Sequence, residues 1–191
     1  MDSAPATTGS TEPARAAAVT AVVIPVPEAE TLVRQRLLQV RPSLLPRDRS
    51  AAAHISLCAP FLSPDKIDDG VIGELERCFA QLTSFGFTLT EVCDFPDGVA
   101  YLAPEPAAPF ARLTLEVHRL FPEASPEGIA FDDIVPHLTV PLPLGETVED
   151  LRTHLRKSLP LTAHATAAAL VHVEDDNTRV IATLPFGTSA A

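Results

Sequence analysis

One run of residue types occurs twice in this chain, and it constrains the fold more than any other feature. The first copy passes from Ile24-Pro25-Val26-Pro27-Glu28, through Leu32, Val33 and Leu37 at helical spacing, to Ala53-His54-Ile55-Ser56-Leu57. The second passes from Tyr101-Leu102-Ala103-Pro104-Glu105, through Phe110, Leu113 and Val117, to Pro136-His137-Leu138-Thr139-Val140. Each copy reads as a strand, a Pro-Glu entry, an amphipathic helix, a proline-rich loop and a short strand. Self-similarity of this kind marks a diverged internal duplication, which makes the two closing motifs pseudo-equivalent.

Both motifs alternate with the period of a strand, so His and Ser/Thr project from one face while Ile55 and Leu138 point the other way. Positions i and i+2 of a strand lie roughly 6.5–7 Å apart. An imidazole and a hydroxyl at that spacing reach one tetrahedral group such as a phosphate, and two facing strands bring two of each to one cleft. Imidazole serves as general base or general acid near neutral pH, and hydroxyls donate to charge growing on non-bridging oxygens. A third copy, His164-Ala165-Thr166, lacks a partner in the repeat and is read as structural. The histidines show no H-x-x-x-H ligand spacing and no cysteine joins them, so no metal site is assigned.

With His54-Ile55-Ser56-Leu57, Pro136-His137-Leu138-Thr139-Val140 and the strand–helix run before each, the chain resembles the two-histidine (2H) phosphoesterase superfamily. Within it the likeness is to bacterial 2′-5′ RNA ligase and RNA 2′,3′-cyclic phosphodiesterase proteins, from about Ala17 to Phe186. The resemblance implies an α+β fold of two pseudo-symmetric lobes. Each lobe is an antiparallel-rich sheet with helices outside, and the active-site cleft lies between them. It implies hydrolysis of a 2′,3′-cyclic phosphate on a nucleotide or short RNA end to a 2′-phosphate, without a cofactor. His54 and His137 are then the catalytic pair, and Ser56 and Thr139 bind phosphate. His137 activates water and His54 protonates the leaving 3′ oxygen, with the reverse division left open. Ligation of an RNA 5′-hydroxyl is the same chemistry run backwards, and a non-catalytic nucleotide- or RNA-end-binding module is the other alternative. Some cyclic phosphodiesterases of the family carry an Arg three residues after the second motif's Thr, where this chain has Leu142. A phosphate clamp here comes from elsewhere, with Arg47 and Arg49 the candidates, or is missing. Tyr101 and Phe131 are candidates for the substrate rim, although core packing is the stronger reading of both.

The formal charge of −11 disfavours binding of extended nucleic acid, whose affinity rests on basic phosphate contacts. Against that balance, Arg34, Arg36, Arg41, Arg47 and Arg49 precede the first motif, with Glu28, Glu30 and Asp48 among them. This net-positive segment reads as a solvated helix face and loop, or as one rim of an anion cleft. The three cysteines, Cys58, Cys78 and Cys93, form no CxxC and suit reduced thiols in a cytoplasmic protein, with Cys58 packed in the interior. No apolar run approaches the roughly 20 residues of a membrane span. Oligomeric state is not legible.

Along the chain, residues 1–15 read as a disordered tail, 16–187 as one bilobal domain and 188–191 as a loose end. Ser63-Pro64-Asp65 reads as a helix start, with the helix running to Leu82. Asp97-Gly98 reads as a hairpin turn between Phe85–Thr90 and Val99–Leu102. Pro109 opens a helix on which His118 falls off the apolar stripe, toward the surface. Thr147-Val148-Glu149-Asp150 resembles a capping box with Asp in place of Glu, opening a helix that ends at Leu159. Leu161 to Glu174 reads as one strand, followed by a turn and a strand from Thr178 to Phe186. No glycine-rich phosphate loop is present.

Overall fold

The computed structural model describes residues 18–46, 51–124, 133–175 and 177–187. Both tails, Arg47, Arg49 and Phe131 lie outside the described residues. In chain order the elements are β1 (Val19–Pro25), α1 (Glu30–Val40), β2 (His54–Cys58), α2 (Asp69–Phe79), β3 (Phe85–Asp94) and β4 (Ala100–Glu105). They continue with α3 (Ala108–Leu120), β5 (Leu138–Thr139), α4 (Val148–Leu155), β6 (Leu161–Ala165), β7 (Ala167–Val173) and β8 (Arg179–Pro185).

Among the described residues, the eight strands form one antiparallel sheet in the order β6-β3-β4-β5-β2-β1-β7-β8. The duplication is visible in that order, because β4-β5 and β2-β1 are mirror neighbours about the centre. The motif strands do not face each other across a gap. They are hydrogen-bonded neighbours, joined at Ile55 and Leu138, so the two lobes are halves of one continuous sheet. Ile55 and Leu138 are fully buried, with Leu75 and Phe79 of α2, Phe110 and Val117 of α3 and Leu151 of α4 in the same core. Truncating Ile55 or Leu138 to Ala there costs about 2–5 kcal/mol.

The segment read as one strand from Leu161 to Glu174 is two strands. β6 pairs with β3 at one edge, and β7 pairs with β1 near the other. Thr166 alone separates them, so the sheet must curl until its edges approach. Phe186 N–H closes the gap by donating to the Thr166 carbonyl at 2.9 Å, and Thr83 bridges Gly187. Gly187 is required at this seam, since a Cβ there would run into the Ala80 carbonyl oxygen. Small alternating residues (Ala163, Ala165, Ala168) make the break illegible, because nothing in their pattern marks Thr166 as a corner.

Helix boundaries also move. Pro64–Lys66 is an isolated 3-10 turn in which Ser63 makes no capping bond, and α2 starts at Asp69 under an Asp68 cap that accepts from Val71 N–H. Asp68 outcompetes Ser63 because its carboxylate both caps and complements the helix dipole. α2 ends at Phe79, short of Leu82. The Thr147–Asp150 capping box is present, but α4 ends at Leu155. Asp97-Gly98 turns the β3–β4 hairpin, with Gly98 at φ 86°.

Candidate active site

The antiparallel pairing of Ile55 with Leu138 places His54 opposite Thr139 and Ser56 opposite His137. All four side chains project from the face of the strands opposite Ile55 and Leu138. The two histidines are therefore diagonal neighbours, at a separation of roughly 7–8 Å between their attachment points. Burial is the main cause that lowers the pKa of His54, and the nearby charge of His137 adds a smaller lowering.

Each imidazole is held in the same way. His54 Nδ1 meets the Ala51 carbonyl at 2.8 Å, and His137 Nδ1 meets the Val135 carbonyl at 2.7 Å. A carbonyl only accepts, so Nδ1 carries hydrogen in both rings, and in each neutral ring the lone pair sits on Nε2. The local cause is a histidine at or just before the start of its strand, with a carbonyl two or three residues back meeting the ring.

The surroundings differ. Burial pulls the His54 pKa below the ordinary imidazole value, against the opposing pull of the Ala51 carbonyl and the Glu30 carboxylate. His54 and Thr139 open on a cavity of about 230 Å³ walled by Val33 and Leu37 of α1. Ser56 and His137 open on one of about 510 Å³, where α3 contributes Thr114 and His118. His118 is thus part of a cavity wall beside Cys58, with Nδ1 and Sγ 4.0 Å apart, and not a surface residue. Cys58 is buried, and burial pushes its thiol up to about 11, so it packs and does not attack. A register shift between β1 and β2 pairs Cys58 with Val22 and Ser56 with Val23, which turns Cys58 toward the helices.

Tyr101 lies across from Thr139 on β4 and touches the His137 ring, centroids 5.7 Å apart, instead of joining the core. Phe95, which the sequence pattern does not single out, stacks on Tyr101 at 4.5 Å and meets His137 edge-on at 4.9 Å. Its one signal is its place just before the hairpin turn. The arginines before the first motif are neither a free face nor a rim among the described residues. Arg34 pairs with Glu30, Arg41 with Asp175, and Arg36 is buried in a bidentate bond to Glu146, both distances 3.0 Å. Arg36 also reaches the Pro141 carbonyl at 3.4 Å, tying α1 to the segment that follows the second motif. His164 is exposed on edge strand β6, and its backbone N–H donates to Glu28.

A profile of the 2′-5′ RNA ligase superfamily matches residues 25–177, which spans both motifs and most of the sheet. The chain belongs to the 2′-5′ RNA ligase superfamily. No curated protein matches it. Among solved structures, E. coli LigT complexed with 3′-AMP is 16% identical, with 88% of this chain and 97% of that one covered and a TM-score of 0.56. TT0787 of Thermus thermophilus is 18% identical, covering 90% and 99%, with a TM-score of 0.57. A structure described as a phosphoesterase is 14% identical over 88% and 98%, with a TM-score of 0.55. At these identities the likeness establishes the fold: an α+β molecule of two related halves built on one curled antiparallel sheet. Within the superfamily member described here, no helix among the described residues is long and apolar enough to cross a membrane.

Proposed function

We propose that this superfamily member is a metal-independent phosphodiesterase that opens the 2′,3′-cyclic phosphate of a nucleotide or short RNA end to a 2′-phosphate. The observation that carries this reading is the matched pair of imidazoles. They stand diagonally on one sheet face, each with Nδ1 tied to a carbonyl and a cross-strand hydroxyl beside it. Simple anion binding is served better by Arg and Lys than by two rings so oriented. The E. coli relative's complex with 3′-AMP supports a nucleotide as the carrier of the phosphate.

The pKa lowered by burial favours the neutral form of His54, which suits it to the base role. This is the reverse of the division that the resemblance implied. His54 Nε2 takes a proton from water as the water oxygen bonds to phosphorus. The bond to the 3′ oxygen breaks, and His137 Nε2–H delivers its proton there. Ser56 and Thr139 hydroxyls donate to the non-bridging oxygens as charge grows on them. The net change is one water added across one P–O bond, and solvent resets both rings.

The test is turnover of a small 2′,3′-cyclic nucleotide in EDTA across pH. A bell-shaped kcat/KM is expected, with its acidic limb below 6.5, because activity is lost as pH falls through the pKa of His54 and the base becomes protonated. Binding of the nucleotide with no turnover at any pH would sink the enzyme reading in favour of a binding module.

A further inference from the structure

The two histidines share a way of being held but differ in what holds the holder. Ala53, fully buried just before β2, has its carbonyl bonded by Val26 N–H at 2.9 Å, while its N–H donates to Glu30 Oε2 at 2.9 Å. Glu30 opens α1 and is pinned in turn by Arg34, whose Nε and Nη2 donate to Oε1 at 3.1 and 2.8 Å. The stretch from Ala51 to His54 includes the carbonyl that receives His54 Nδ1–H. A shift of Ala53 therefore moves both the imidazole and the acceptor that orients it. In the second half the His137 ring is flanked by Phe95 and Tyr101.

We propose that Glu30 is a positioning residue for His54: it locks the Ala51–His54 turn through Ala53 N–H and sets a negative charge beside the imidazole. The assignment rests on reading His54 as the base. A buried imidazole loses basicity, and too weak a base removes a proton from water poorly. The Glu30 charge opposes that loss, as do the Ala51 and Ala52 carbonyls, whereas a charged His137 adds to it. The cavity wall over His54, from α1, the following loop, β5 and β7, offers Val33, Leu37, Leu44, Thr139 and Val173, none of which titrates. Arg34 touches Glu30 and offsets part of its field.

Two substitutions separate the charge from the bond. Glu30→Gln keeps an acceptor for Ala53 N–H and removes the charge; Arg34→Gln keeps the acceptor and strips the counter-charge. The measurement is an NMR titration of the His54 ring in the full chain, paired with the pH profile on a small 2′,3′-cyclic nucleotide. Glu30→Gln is expected to lower the His54 midpoint by about half a unit to one unit. With it, kcat falls about two- to threefold while KM stays unchanged. Arg34→Gln moves the midpoint upward, and it carries the test alone if Glu30→Gln does not fold. Midpoints equal to the native value overturn the proposal and leave Glu30 as an acceptor for one buried N–H. A native protein that turns over no cyclic phosphate would end the catalytic reading, yet the titration would still decide whether Glu30 sets the His54 midpoint.

Discussion

His54 and His137 occupy equivalent places in two related halves, yet the halves treat them differently. His54 sits under Val33 and Leu37 in the smaller cavity, backed by Glu30 through Ala53. His137 sits beside the larger cavity against the edges of Phe95 and Tyr101. Duplication supplies two copies of one tool, and the environment then has to separate their pKa values before one can act as acid and the other as base. In this chain burial lowers the pKa of His54, while His137 stands against an aromatic wall.

The comparison breaks most plainly at the rings. His54→Ala and His137→Ala should each cut kcat by about 10²- to 10⁴-fold, with the His54 variant losing the acidic limb and the His137 variant the basic one. If both variants lose the same limb, the division of roles is wrong, and circular dichroism must show both folded. Next in size are the hydroxyls. Ser56→Ala and Thr139→Ala should each lower kcat by about ten- to a hundredfold with little change in KM, the half-buried Ser56 more than the exposed Thr139. Equal losses would mean that the halves do not differ in how dry they are around phosphate.

The bond between the halves comes third. Arg36→Met should cost about 2 kcal/mol in urea unfolding, less than a fully buried pair because Glu146 is partly exposed. Adding Glu146→Leu should restore most of it, since an apolar pair of similar volume replaces the stranded charge. The smallest effect is expected at the aromatic wall. Phe95→Leu should change kcat/KM about two- to fivefold and leave the acidic limb of the profile where it is. Movement of the acidic limb instead would assign the wall to the wrong histidine. The His54 side has its own signature in stability. Unfolding frees its ring to titrate at the ordinary value, so the folded state loses stability as pH falls from about 6.5 through the depressed pKa. His54→Gln should remove that part of the acid sensitivity.

Much of the site is legible in the sequence because it is local. H-x-[ST] on a strand is a period-2 pattern, and its repetition after the same strand–helix run identifies the pair. The capping box at Thr147 and the Asp97-Gly98 turn are likewise short-range, and both stand in the structure. Ser63 misleads because two capping residues, Ser63 and Asp68, compete within one helical turn and a half, and only packing chooses. Arg34, Arg36 and Arg41 look like a solvated basic stretch because their partners, apart from Glu30, lie far away in sequence. Their apolar neighbours point Tyr101 toward the core and His118 toward the surface; the structure puts both beside the site.

The sequence by itself determined the two motif strands, the chemistry their side chains can do, and the presence of two related halves, since each depends on residues within one element or one repeat. Tertiary structure alone decided that the motif strands are neighbours in a single sheet, that Thr166 is a corner between its two ends, and that Glu30 backs His54. Those are contacts between segments far apart in the chain, chosen by which apolar faces bury together and which buried polar groups find partners, and no local pattern encodes that choice.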